Sequence, residues 1–501
     1  MMMGTVPTSI PQFILLGNWL LEMDFKRKWY QVKTNKLFWV LTSIFFVHVC
    51  GLFYTENLQA GWNDVRTKLP LLFLPVVFFT NKPLSLKELH LLLYCFLVGC
   101  LTNTGWCLMY NFVFHKNEVG RNASRFMSHI RLGLYLNMGI ACCLYFIKDS
   151  ASFFKRLVCV LGGLYFLVTM YALGLISGLV NFFILCFLAL VVIIYRQRPI
   201  VKLLATVGFV AGLYFIFNYV NEIKQTRLVV NDVPNNQLLM QSPSGRYYAH
   251  FDTSGPLENG NYILRNIQTE ELKKEWGNQC PADTFSYPPH PHNMSRYEVL
   301  IRYLASKGLN KDSVGVSKLT EEDKKNIQNN VANYQYPQWS FLHKRVYELV
   351  CEYDDYVNNR NVNGQSLTMR LYFWKAATCL VSEHPFAGVG TGDVQDQLND
   401  TYVKTKSPLH AEWYKRPHNQ FLTIAVALGV CGLVVFLMHL IYPLILLRNS
   451  VHILFWPFFI LAIISFFLED TLETQAGLSF YAVFNSLFLS TAWFKTQTPS
   501  G

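Results

Sequence analysis

Residues 10–220 and 420–494 are filled with apolar runs close to the roughly 20 residues a helix needs to cross a bilayer. A polar block, residues 222–417, lies between them. The runs resolve into eleven spans: 8–22, 37–54, 67–80, 88–113, 129–147, 154–173, 175–195, 200–220, 419–447, 452–468 and 476–494. The first and third are short, which suits tilted, partial or interfacial helices. The first lacks the charged flank and small-residue cleavage site of a signal peptide. The opening Met1-Met2-Met3 is compatible with a late start that leaves out an earlier helix. The pattern predicts an all-α polytopic membrane protein divided as 1–221 (helices), 222–417 (loop domain) and 418–501 (helices).

The polar block carries signals of ordered structure. Alternation over Arg246–Phe251, a turn at Glu258-Asn-Gly-Asn261 and then Tyr262-Ile-Leu264 predict a small β-hairpin. Ser295-Arg-Tyr-Glu298 is a capping box that opens a helix ending near Gly308. Thr320-Glu-Glu-Asp323 opens another helix. Residues 340–358 read as an amphipathic helix, and 366–383 as one ended by Pro385. The block is therefore expected to be mostly helical. It has few continuous apolar residues, so it is expected to lie against the membrane helices.

Composition agrees with this division. The chain is 52% hydrophobic and 15% charged, against about 25% charged in soluble domains. Lys and Arg in the short loops set the orientation. One set of loops holds Lys26, Arg27, Lys28, Lys33, Lys36, Lys82, Lys87, Lys148, Lys155, Arg156, Arg196, Arg198, Lys202, Arg448 and Lys495; the alternate set holds Arg66, Lys68, Lys116, Arg121, Arg125 and Arg131. The richer set marks the cytoplasm. The block 222–417 and the turn Glu469–Gln475 then face the periplasm of a Gram-negative cell. The net charge of +11 partly reflects this bias. No soluble face interleaves aromatics with basic residues, so nucleic acid is not an expected partner. Most of the 12 cysteines lie in spans as small apolar residues. Cys280, Cys351 and Cys379 fall in the block, where one disulfide is conceivable and no spacing suggests a metal site.

The candidate chemistry gathers at span ends. His418 opens the span after the block, flanked by Arg416 and Asn419. A neutral histidine takes a proton from a hydroxyl, and Asn419 can fix its orientation; a histidine at this position can also simply cap a helix. Arg131, Arg370 and Arg416 fall on the same side. Guanidinium forks bind diphosphate bidentately, although arginines at such depths also snorkel to headgroups. No carboxylate cluster suggests magnesium instead. Glu469 and Asp470, with Glu473, form an acidic turn that can orient His418, pair with an arginine or face water. Gly388-Val-Gly-Thr-Gly-Asp393 follows a helix and Pro385 rather than a strand, so it reads as a tight turn, with phosphate binding by its amides a lesser option. Asn122, Asn293 and Asn399 begin glycosylation sequons, a weak three-residue signal that is irrelevant if the cell is bacterial.

These residues resemble a family. The motifs are Lys68-Leu-Pro-Leu-Leu-Phe73, Ser128-His-Ile-Arg131, Glu258-Asn-Gly260 with Glu271-Leu272 and Trp276, Arg302-Tyr-Leu-Ala-Ser-Lys-Gly308 and Ala332-Asn-Tyr334. They continue with Arg370, Pro385–Asp393, Arg416-Pro-His-Asn-Gln420, Gly429-Val-Cys-Gly432 and Glu469–Gly477. Their order, and the late loop before His-Asn, resemble the O-antigen ligase and O-antigen polymerase superfamily, most of all its Bacteroidetes members. The resemblance implies a GT-C-type, metal-independent glycosyltransferase of the bacterial inner membrane, without a cofactor. It would move a glycan from undecaprenyl diphosphate to a lipid A–core acceptor on the periplasmic face. His418 would be the base, Arg370 and Arg416 would hold the diphosphate, and Arg131 would assist. The family usually has about twelve spans, so eleven fit a missing first helix.

One departure stands out. The family commonly has Ser-Arg-X-Gly at the start of the span placed here at 175–195, where this chain reads Leu175-Ile176-Ser177-Gly178. Ile176 stands where an arginine is expected, which predicts compensation by another arginine, a different donor or weakened activity. The rival readings are a polymerase of the same superfamily, attachment of glycan to protein, and a transporter or flippase without chemistry. The transporter reading expects ionisable residues near the midplane and an internal repeat. Here charges cluster at span ends and no repeat is found.

Overall fold

The computed structural model describes residues 5–114, 124–195, 197–227, 239–250, 256–281, 283, 295–360 and 362–497. Of the residues used above, Met1 to Met3, Lys116, Arg121, Asn122, Arg196, Phe251 and Asn293 lie outside them. Each of the eleven apolar segments contains a helix. Among the described residues, seven helices are long and apolar enough to cross a membrane: Lys36–Tyr54, Leu86–Val113, His129–Asp149, Phe153–Ala172, Ile176–Tyr195, Pro199–Gln225 and Gln420–Leu447. The protein is an all-α polytopic membrane protein.

The chain divides into two compact units. The first is Met1–Arg196, Tyr372–Ser407 and Ala411–Gly501; the second is Gln197–Leu371 with Pro408–His410.

In the first unit, helix His129–Asp149 packs on Phe153–Ala172 and Ile176–Tyr195. Gly133 and Gly178 allow the second contact, since a Cβ on Gly133 would lie 2.7 Å from the Gly178 Cα. Pro70–Thr80 packs against Gln475–Gln497 and Lys36–Cys50, and Lys36–Cys50 against Gln420–Leu447. The third expected span is only 11 residues long. At about 1.5 Å per residue it is too short to cross a bilayer. It begins at Pro70, directly after a polar helix, Leu58–Lys68, which the apolar pattern does not reveal.

The helix Gln420–Leu447 is broken at Gly429, whose φ of +64° and ψ of −166° no helix accommodates. The glycine-rich turn fills the break. Val389 and Gly390 donate their N–H groups to the carbonyls of Val426 and Ala427, and Val430 N–H reaches Pro385 O. Thr391 N–H goes to Gly51 O, and Gly392 N–H goes to Thr55 Oγ1. The Asp393 carboxylate accepts the backbone N–H groups of Glu56 and Asn57. The expected turn is present, but its amides are already bonded to protein, so the option of phosphate binding through them is withdrawn. At membrane depth a helix break survives only when its backbone groups find such partners.

The second unit holds the long helix Pro199–Arg227 and most of the polar block. The capping boxes are formed at Ser295 with Glu298 and at Thr320 with Asp323. The amphipathic helix is Phe341–Val357. The hairpin is smaller than expected: Leu257–Glu258 pairs with Asn261–Tyr262 around Asn259 and Gly260, both at positive φ, the geometry of a two-residue hairpin turn. The 246–250 segment does not pair with 262–264. Tyr247 bridges to Gln241, and Ala249 bridges to Ile267. The unit has a core of its own, centred on Trp276, Leu272, Val299, Leu300, Tyr303 and Leu304. These apolar residues come from separate short elements, so no continuous run announces them. Beside the core, buried Glu258 accepts from Arg302 Nη2 at 2.8 Å and Asn333 Nδ2 at 2.7 Å. All twelve cysteines are free thiols, so the conceivable disulfide is not formed.

Candidate active site

His418 sits one residue before the N-cap of Gln420–Leu447. Asn419 is the cap, its side chain accepting Leu422 N–H at 3.1 Å. This is the capping role open to either residue, and it frees the His418 ring. His418 itself has a φ of +50°, an uncommon conformation for a residue with a Cβ. Its backbone N–H donates to Asp470 Oδ2 at 3.0 Å, and Asn419 N–H donates to Asp470 Oδ1 at 3.1 Å. Thr423 Oγ1 donates to the same Oδ1. One carboxylate thus holds the whole turn.

The imidazole is 33% exposed. Its Nδ1 lies 3.4 Å from Glu469 Oε2 and 4.0 Å from Asp470 Oδ2, and makes no hydrogen bond to either. The Phe373 ring lies 5.8 Å from it. Trp374 Nε1 donates to Pro417 O at 3.0 Å, and Tyr402 OH donates to Lys415 O at 2.7 Å. The approach to His418 is therefore braced from the helices Ser366–Glu383 and Val394–Lys404.

Arg416 is tied to carboxylates. Its Nη1 donates to Glu473 Oε2 at 2.8 Å and lies 3.8 Å from Asp64 Oδ1. Lys68 donates to Asp64 Oδ2 at 2.7 Å and to Glu473 Oε2 at 2.8 Å. Gln420 Nε2 donates to Glu473 Oε1 at 3.0 Å, while Gln420 Oε1 accepts Leu472 N–H. Burial raises the Glu473 carboxyl, but Lys68 and Arg416 outweigh it and hold the group well below the usual range. Asp64 goes the other way: burial first, and the Glu473 charge next, push it up to about 6. Burial also raises Asp470, against the Thr423 hydrogen bond and the His418 and Arg416 charges. For Arg416, burial is outweighed by Glu473 and Asp64, which push it up.

Arg131 stands in the first turn of His129–Asp149, its Nη1 donating to the N-cap Ser128 at 2.9 Å. Its Nε is buried and has no hydrogen-bond partner. Glu469 and Asp470 are the carboxylates that act on it electrostatically. Ile176 begins the helix whose Gly178 touches Gly133, so Ile176 and Arg131 each lie two residues before that contact. Arg370 lies on the helix Ser366–Glu383, in the part that belongs to the second unit.

The structure thus gathers His418, Asn419, Arg416, Arg131, Glu469 and Asp470 in one unit. Sequence reasoning missed Asp64, Lys68, Gln420 and Thr423 as parts of the cluster; of the options it gave the acidic turn, Glu473 takes the pairing with an arginine, Arg416. The legible signal was Asp64 four residues before Lys68, the helical spacing for an ion pair, with the lysine next to an apolar run.

The fold and this cluster define a multi-pass membrane protein in which a histidine, two arginines and several carboxylates gather at the mouth of a broken helix. Residues 330–437 match the family model described as O-Antigen ligase. The matched segment contains Arg370, the glycine-rich turn, Arg416, His418 and the helix break, and it supports placing the chain in the O-antigen ligase and polymerase superfamily. No curated protein matches the chain.

Proposed function

We propose that this protein transfers a glycan from undecaprenyl diphosphate to a hydroxyl of a lipid A–core acceptor at the periplasmic face of the bacterial inner membrane. The observation that carries the reading is the His418 imidazole, partly open to solvent, with the Glu469 and Asp470 carboxylates behind its Nδ1. A carboxylate beside one ring nitrogen orients the ring and stabilises the imidazolium formed when the other nitrogen takes a proton. In the reaction the acceptor O–H gives its proton to His418 and its oxygen bonds to the anomeric carbon. The bond from that carbon to the diphosphate oxygen breaks, with inversion, and the lipid diphosphate leaves with the electron pair. Cations in a low-dielectric site stabilise that leaving group. Arg131, with its unpartnered Nε, takes this role most directly. Arg416 contributes charge while tied to Glu473.

The O-Antigen ligase match at 330–437 fits a ligase and a polymerase equally, so the acceptor separates the two. The test is in-vitro transfer by the purified full chain, without added metal, offered either lipid A–core or a second lipid-linked glycan. Wild type, His418→Ala and Ile176→Arg are compared. Transfer to lipid A–core that His418→Ala abolishes supports the ligase and its base. Transfer only to the lipid-linked glycan selects the polymerase. Transfer that survives in His418→Ala overturns the mechanism. Greater transfer by Ile176→Arg means the isoleucine has cost a diphosphate contact beside Arg131.

A further inference from the structure

We propose that Lys68 is a positioning residue for His418, acting through the buried charges of Asp64, Glu473 and Arg416 and making no contact with substrate. The inference rests on the reading of His418 as the base. Lys68 is the last residue of the helix Leu58–Lys68, and its side chain is 0% exposed. Its ammonium joins Asp64, one turn back on its own helix, to Glu473, in the turn before the last helix.

Glu473 is the hub of the cluster. It holds Lys68 and Arg416 through Oε2 and Gln420 through Oε1. Arg416 and Gln420 are the residues two before and two after His418, so the hub grips both flanks of the turn that presents the ring. The cluster contains two cations and two carboxylates, and in this state it is balanced.

Removing the ammonium leaves two buried carboxylates to one guanidinium, an arrangement that low-dielectric surroundings penalise strongly. Arg416 now favours Glu473 at 2.8 Å over Asp64 at 3.8 Å. Without Lys68 it is drawn toward a position between them. Its backbone is two residues from His418, which holds an uncommon φ of +50° through the Asp470 hydrogen bond. Loss of Lys68 therefore displaces the imidazole without removing any group that meets substrate. Removing Asp64 at the same time restores one cation to one carboxylate and leaves the Arg416–Glu473 pair in place.

The test uses the purified full chain in lipid nanodiscs as wild type, Lys68→Met and Lys68→Met/Asp64→Asn. Two readouts are taken: the rate at which diethyl pyrocarbonate modifies His418, followed by mass spectrometry, and the kinetics of glycan transfer. Lys68→Met is expected to change the modification rate at His418 severalfold and to lower kcat at least tenfold at unchanged donor KM. The double variant is expected to regain most of both. A wild-type modification rate and kcat in Lys68→Met overturns the proposal. So does a raised donor KM in place of a lowered kcat, or a double variant no better than the single one. If Lys68→Met does not accumulate, the double variant decides alone, since it buries no unpaired carboxylate: near-normal kcat supports positioning, and lost transfer in a folded protein means that Lys68 meets substrate. The modification rate does not depend on transfer, so an inactive wild type would defeat the glycosyltransferase reading while leaving this test intact.

Discussion

Asp470 holds the backbone of His418: one carboxylate oxygen accepts its N–H at 3.0 Å while the histidine sits at a φ of +50°. The other oxygen holds Asn419 and Thr423. A side chain 52 residues away in sequence thus sets the direction of the imidazole.

Asp470→Ala removes the acceptor for two backbone N–H groups and one hydroxyl. Each buried donor left without a partner costs about 1–3 kcal/mol. The variant should show a lower thermal midpoint and transfer reduced by about a hundredfold or more, the scale of losing a positioned general base. Thermal melts and transfer kinetics on the same preparation check both.

At position 418 a glycine suits the backbone better than an alanine, because positive φ carries no Cβ penalty there. His418→Gly is therefore expected to melt at or above His418→Ala, with both inactive. Added imidazole should restore part of the transfer in His418→Gly, where the ring's space is open. Rescue by imidazole, titrated against an unchanged thermal midpoint, measures this.

Gly429→Ala should be strongly destabilising. Its φ of +64° and ψ of −166° lie where only glycine is comfortable, and an added Cβ would lie 2.2 Å from the Phe386 carbonyl. The strain alone is about 1–3 kcal/mol, and the overlap with the Phe386 backbone adds to it. Loss of detergent-stable protein, measured by size exclusion after heating, checks the outcome.

The pH dependence of stability follows from Asp64. Its folded pKa of about 6 exceeds its ordinary 3.8, so the native state binds that proton more tightly than the unfolded chain. Its contribution to stability therefore grows as pH falls through 6 toward 4. Asp470, also raised, adds in the same direction. Glu473 is depressed, so its contribution is present above its ordinary 4.5 and is lost only as pH falls through its lower folded value. Between pH 7.5 and 5 the thermal midpoint should rise as pH falls. Asp64→Asn should flatten that rise. Melts of both proteins across this range test it.

In the second unit, Leu304→Ala opens a cavity against Trp276 and Leu300 in a fully buried cluster. A cost of about 2–5 kcal/mol is expected. Faster limited proteolysis within 256–360, with cleavage unchanged in the membrane helices, would report it.

The sequence by itself determined the membrane helices, because a bilayer demands apolar length and that demand is written locally at every position. It also determined the capping box at Ser295, the helix start at Thr320 and the Asn259-Gly260 turn, whose chemistry lies within a few residues. His418, Arg416 and Asn419 were legible as a candidate site because they adjoin one another at a span end. Tertiary structure alone decided the rest. The helix break at Gly429 depends on donors from Val389 and Gly390, some forty residues earlier in the chain. The short third helix, the core around Trp276 and the pairing of Lys68 with Glu473 are also contacts between distant segments. A buried charge or an open backbone carbonyl is tolerable only when its partner arrives from elsewhere in the fold, and no local pattern of residues specifies which partner that is.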